Sequence, residues 1–200
     1  NLNFTFGVTD VKQNFNSNIF QILDNNSELS FNENVLNNNV DFNFSDAYLS
    51  FNYRFITGIF TMEPGFTINS YKTENIQLGR MVSNSYSDIR PDMRVFIKFK
   101  DSESLRFTYR ATNQFTDINN LAEGYVFNNY NSFFQGNPSL EAAKIYNYNL
   151  NYQSINIFNF TNVFARLGYS KRSNTIQNNT LISGISSVRS AINSNLPRDN

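Results

Sequence analysis

The 200-residue chain contains neither cysteine nor histidine. Without cysteine there is no disulfide framework and no thiolate metal site. Without histidine there is no imidazole ligand, no imidazole base for a serine or cysteine nucleophile, and no group switching near neutrality. Most enzyme classes lose their usual reagents, and the reading is of a protein that is not an enzyme, with no cofactor and no metal. Net charge is lacking as well: 16 basic residues balance 16 acidic ones, so nothing draws the whole chain to nucleic acid or anionic lipid. No apolar run approaches the ~18 residues of a membrane-crossing helix, which excludes a helical membrane protein. Phosphate-binding glycine loops, EF-hand loops and nucleophile elbows are absent. The first residues, "NLNFTFGVT", already lie inside an alternating run with no signal segment ahead of them, which reads as a processed chain or a piece of a longer one.

What the chain has in quantity is phenylalanine (21), tyrosine (11) and asparagine (36). A disordered polar tract would be poor in aromatics, whereas these are regularly placed. Apolar residues recur with period two almost throughout, the signature of strands with one greasy and one polar face. Seven strands are expected near 1–9, 40–55, 59–72, 92–100, 105–112, 143–154 and 158–173, with a weak eighth near 185–193. In "SLRFTYRATNQFTDINNL", Leu105, Phe107 and Tyr109 alternate with Arg106, Thr108 and Arg110 before the pattern dissolves. Val40, Phe42 and Phe44 are out of phase with Leu49, Phe51 and Tyr53, which predicts a bulge near Asp46. Pro64 cannot donate to a ladder, so an irregularity is expected there.

The expected connections alternate: about 30 residues, three, 19, four, 30, three and a dozen, by the strand spans just given. Loops beyond about 12–15 residues are uncommon in compact domains. Antiparallel transmembrane barrels combine tight periplasmic turns with long extracellular loops. The expected fold class is therefore all-β, an antiparallel transmembrane β-barrel in which about 7–8 strands belong to a larger closed sheet. A half-solvated antiparallel sheet explains the alternation equally well, but not the loop rhythm.

If the apolar parity meets lipid, the other parity lines the lumen with Arg54, Arg94, Lys98, Arg106, Arg110 and Arg166, and with Glu63 as the clear acid. Most other carboxylates, such as Asp24, Glu28, Glu33, Glu74, Asp88, Asp117 and Glu123, fall in the expected loops and turns. Such a basic wall suits the carboxylates of a plug domain or an anionic ligand; solvated charges with no ligand are the bland alternative. The loop from Phe115 to Leu140 carries Tyr125, Phe127, Tyr130, Phe133 and Phe134 among amides, a surface able to stack a sugar or grip a peptide, or simply to pack on its neighbours. Tyr53, Tyr109, Tyr152 and Tyr169 read as interface girdles.

Three stretches, "SLRFTYRATNQFTDINNL", "GNPSLEAAKIYNYNLNY" (136–152) and "FARLGYSKRSNTI" (164–176), with "AYLSFNYRF" (47–55) more weakly, together resemble the carboxy-terminal part of the barrel in TonB-dependent receptors. The Gly-Asn-Pro-x-Leu-Glu turn at Gly136–Glu141 is the most specific piece; Thr116 stands where that family often has proline. The resemblance implies a 22-stranded barrel in the outer membrane of a Gram-negative bacterium, contacting outer-membrane lipid and importing a glycan, peptide or metal chelate. It also implies a plug domain and a TonB contact through an amino-terminal part missing here, so residues 1–200 are expected to form part of one barrel domain without a plug. Two alternatives stay open: a non-transporting barrel that scaffolds surface lipoproteins or a secretion or assembly complex, and a soluble all-β glycan-binding module.

Overall fold

A computed structural model describes residues 1–30, 35–129, 131–194 and 198–199. The elements are β1 (Leu2–Ser17), β2 (Phe20–Ile22), β3 (Glu28–Ser30), β4 (Asn38–Tyr53), β5 (Phe55–Thr57), β6 (Phe60–Gln77), β7 (Arg80–Lys100), β8 (Glu103–Gln114), a 3-10 helix (Ile118–Leu121), β9 (Tyr125–Asn129), β10 (Ser132–Gln135), β11 (Ala143–Asn156), β12 (Thr161–Ser173), β13 (Thr175–Ser183), β14 (Ser186–Ser194) and β15 (Arg198–Asp199).

The protein is all-β. Its main sheet is an antiparallel meander in the order β1-β4-β6-β7-β8-β11-β12, with β5 continuing beside β6 and the short β15 at the edge of β12. These seven long strands are the seven that alternation predicts. A second sheet, β13-β14-β10-β9, is antiparallel except for the parallel β10–β14 pair. A two-stranded ribbon, β2-β3, completes the strands. Among the described residues no sheet closes on itself.

Register decides which residues share a face. On one face Phe6, Leu49, Ile68 and Ile89 stand in a cross-strand row, as do Val95, Phe107, Leu150 and Leu167 farther along the sheet. Phe51 packs between Phe4 and Phe66, with ring centroids 5.2 and 5.4 Å away. Another row holds Tyr109, Tyr148 and Tyr169, whose rings lie 4.9 and 5.8 Å apart in succession. Among the described residues nothing packs over Phe6, Ile89 or Leu167 on this outer face, which are 73, 65 and 68% exposed. The opposite face carries the arginines, asparagines and threonines.

Strand length departs from the expectation on the side away from the tight turns. Residues 73–91, expected as a long loop, extend β6 and β7 instead and meet at a two-residue turn, Leu78–Gly79, with φ of 51° and 71°. This is a hairpin turn that requires left-handed backbone at both positions. The dozen residues after β12 likewise include a strand, β13, and the weak eighth strand is β14, paired to β13 and β10 rather than to the main sheet.

The bulge expected near Asp46 is absent. β4 keeps an unbroken register from Asn38 to Tyr53 against β1, and from Val40 to Asn52 against β6. Val40 and Phe44 therefore share the polar face, because here the loop after β8 covers it: Phe44 meets Phe115 at 4.6 Å and Tyr71 at 5.9 Å, while Tyr71 meets Phe115 at 5.2 Å. The irregularity expected from Pro64 does occur. Pairing with β6 lapses at Tyr53 and Arg54, opposite Pro64 and Glu63, and resumes in the same register, Asn52 facing Gly65 and Phe55 facing Met62. Proline has no N–H for the ladder, so the lapse begins opposite it.

The buried core is small and lies at the loop end of the inner face. Val40, Tyr71, Leu121, Ala122, Ala143 and Ala191 are buried there beside buried Asn38, Asn69, Asn75 and Gln77.

Candidate functional site: a basic inner face and a folded loop

Arg54, from the break between β4 and β5, and Glu63, Arg94, Arg106 and Arg110, on β6, β7 and β8, line one open concavity of about 620 Å³ together with Thr61, Phe96, Thr108 and the backbone of Val95. Glu63 lies directly across the ladder from Arg94. Its carboxylate pairs with Arg54 Nε at 3.2 Å and with Arg94 Nη1 at 3.5 Å. Arg106 faces Phe96 across β7–β8, and its guanidinium carbon sits 5.6 Å from the ring centroid, a cation–π arrangement. Arg110 stands opposite Asp92.

Four of the six predicted wall residues are thus brought together. Lys98 is held elsewhere: its Nζ lies 2.6 Å from Asp101 in the tight turn before β8. Arg166 stands in the Arg106 row, separated from it by Asn151, and is not part of the concavity lining.

Sequence reasoning missed Arg90, Asp92 and Phe96. All share the parity of Arg94, and Arg90 and Asp92 flank Pro91, which broke the expected strand although alternation continues through "DIRPDMR". Arg90 Nε donates to Asn69 Oδ1 at 2.9 Å, and Asn69 Nδ2 donates to both Asp46 oxygens at 2.8 and 2.9 Å. A buried amide therefore relays between a cation and an anion on three strands. Farther up, Asp88 accepts from Asn113 Nδ2 at 2.8 Å and from Lys144 Nζ at 3.0 Å, tying β7 to β8 and β11. The ladder between β7 and β8 ends at Asp92–Arg110, so these side chains hold together strands that no longer share backbone bonds.

The loop after β8 is seated by two buried amides acting as surrogate backbone. Asn38 accepts from Gly124 N at 2.8 Å and donates to Tyr125 O at 3.3 Å; Gln77 accepts from Glu123 N at 3.1 Å and donates to Leu121 O at 3.1 Å. The Gly-Asn-Pro turn is anchored likewise, with Gly136 N bonded to Ala122 O and Asn137 N to Asn120 O. A Cβ at Gly136 would meet backbone atoms of Ala122 and Asn120 at 2.6 Å.

Of the predicted loop aromatics, Tyr125, Phe127 and Phe133 pack on one another, with Phe133 4.5 Å from Phe127 and 6.1 Å from Tyr125. Phe134 instead lines a smaller cavity of about 210 Å³ with Phe15, Asn119, Asn120, Val126 and Asn178. Tyr130 and Glu33 lie outside the described residues. Among the described residues no group of three or more acidic side chains gathers to hold a metal, and no helix is long and apolar enough to cross a membrane, which says nothing of strands.

The chain matches no protein-family model and no curated protein.

Proposed function

We propose that the chain is part of an outer-membrane β-barrel resembling those of TonB-dependent receptors, working in uptake of a glycan, peptide or metal chelate. One observation carries this reading: among the described residues, a seven-strand meander leaves large hydrophobic side chains such as Phe6, Ile89 and Leu167 exposed on its apolar face, while its polar face is concave, charged and partly roofed by a loop. A soluble antiparallel sheet buries its apolar face, and exposed apolar patches of this extent mark membrane or protein contact. Hydrocarbon accepts strands only when every backbone group is bonded, so the edge of β1, and that of β12 below its short pairing with β15, call for further strands to complete a closed wall. The tight turns at Gly58–Ile59 and Asp101–Ser102 lie at one end and the folded loops at the other, as periplasmic and extracellular ends of such a wall do. A plug domain and a TonB contact, as the resemblance implies, belong to this proposal. So does the Gram-negative outer membrane as its location.

The test is partition of the folded chain into detergent micelles, together with heat-modifiable migration on a gel. A monodisperse protein in buffer without detergent would remove the membrane reading and favour a soluble glycan-binding module.

A second reading, a barrel that scaffolds surface lipoproteins or an assembly complex, is favoured by the β13–β14 hairpin. Its tip exposes Leu181, Ile182 and Ile185 at 69, 75 and 78%, on a hairpin that pairs with the loop strand β10 and not with the main sheet. Replacing Leu181 and Ile185 with serine would release a lipoprotein partner in co-purification if this reading holds; retention of the partner would count against it.

A further inference from the structure

We propose that the inner-face concavity is a binding site for a small polyvalent anion, one bearing two or more phosphate or carboxylate groups, held by Arg94, Arg106 and Arg110 around Thr108. Thr108 lies directly opposite Arg94 in the β7–β8 ladder, and Arg106 and Arg110 are its same-face neighbours on β8. Directly opposed side chains in such a ladder start about 5 Å apart, and same-face neighbours along a strand about 7 Å apart. Three arginine side chains are therefore rooted around one threonine.

Their charge is only partly offset internally. Four arginines line the concavity against the carboxylate of Glu63, which Arg54 and Arg94 share, and that of Asp92, which lies across the ladder from Arg110 and within electrostatic reach of Arg94. Asp92 makes no close ion pair with Arg110, and Arg106 packs on the Phe96 ring, which supplies no full negative charge. Guanidinium forks bind carboxylate and phosphate through paired, charge-assisted hydrogen bonds.

Geometry favours more than one acidic group on the ligand. Arg106 and Arg110 are four residues apart on an extended strand, about 13 Å between their Cα atoms, so a single monovalent group engages one of them well and the other poorly. A volume of about 620 Å³ accommodates a small molecule rather than a single ion. Phe96 gives that molecule an apolar wall. The site needs only the four-strand geometry and not a membrane, so it stands or falls separately from the barrel reading.

Isothermal titration of the full chain at low salt, with inorganic pyrophosphate and orthophosphate as probes, tests it. Pyrophosphate is expected to bind about tenfold tighter than orthophosphate, and Arg106→Gln with Arg110→Gln to lose at least about tenfold of that affinity. The charge-preserving pair Arg106→Lys with Arg110→Lys recovers only part of it, because the fork is lost. Lys98→Gln, on the same face but paired to Asp101, leaves binding unchanged. Equal affinity for the two phosphates, an unaffected double glutamine variant of native circular dichroism, or an equal loss in Lys98→Gln would overturn the proposal. Should the glutamine pair fail to fold, an affinity of the lysine pair equal to the parent's overturns it too. Binding of a poly-glutamate peptide without any of pyrophosphate would assign the wall to an acidic polypeptide instead.

Discussion

The carboxamide of Asn38 accepts the backbone N–H of Gly124 at 2.8 Å, across 86 positions of sequence. This bond seats the loop after β8 on the inner face, and the glycine is there because a Cβ would come within 2.7 Å of the Asn38 oxygen and 2.8 Å of the Asn37 carbonyl. Gly124→Ala, and separately Gln77→Ala, should loosen residues 115–142 at a cost of about 1–3 kcal/mol per orphaned buried group. Hydrogen exchange or limited proteolysis reads this directly. Protection unchanged from the parent would show that the loop is held by other contacts.

Phe6 projects from the exposed apolar face on the edge strand β1. If that face meets hydrocarbon, Phe6→Arg costs about 2–4 kcal/mol of stability in lipid vesicles, the depth-dependent penalty for a cation on the lipid side of a barrel. If the face is wet, the same change is close to neutral. Urea titration in vesicles of matched thickness separates the two.

Glu63 holds two arginines from two strands at once. Both guanidinium groups are about half exposed, at 48 and 53%, so Glu63→Gln should leave stability within about 1 kcal/mol of the parent. It should also strengthen pyrophosphate binding, since the carboxylate competes for Arg54 and Arg94. A weaker titration in Glu63→Gln would mean that the carboxylate organises the arginines rather than competing for them.

Asp101 sits in the tight turn, outside the apolar band, and the hydrogen bond from the Lys98 ammonium holds its carboxyl below the usual carboxylate range. A depressed carboxylate favours the folded state above its unfolded pKa, and that contribution disappears as pH falls through the folded one. Lys98→Gln should therefore move the Asp101 titration upward, toward an ordinary aspartate, in a carbon-detected carboxyl NMR series. Because the aspartate is fully exposed, the acid limb of global unfolding should stay where it is; an unmoved Asp101 midpoint would break the assignment.

Much of the sheet was legible because alternation is local. Leu105, Phe107 and Tyr109 against Arg106, Thr108 and Arg110 specify a strand and its two faces without reference to anything else, and the same holds for six further strands. Residues 73–91 were harder, since Ser83, Asn84, Ser85 and Ser87 carry no apolar alternation. They form strand only because β6 and β7 extend each other past the band. Arg90 and Asp92 escaped notice for a related reason, as Pro91 interrupts the local pattern while the partner strand keeps the register.

The residue pattern by itself determined strand identity, the separation of a greasy from a basic face, and the presence of arginines on the latter, because side chains on an extended backbone alternate whatever surrounds them. Tertiary structure alone decided the rest. Phe44 takes the polar face in an unbroken register because Phe115 and Tyr71 cover it, and Val40 is buried on the same face. Lys98 turns to Asp101 while Arg54, Arg94, Arg106 and Arg110 share one concavity, and Tyr125, Phe127 and Phe133 close on one another. Each of these depends on contacts between segments distant in sequence, and a period of two encodes which face a residue takes but not what will lie against it.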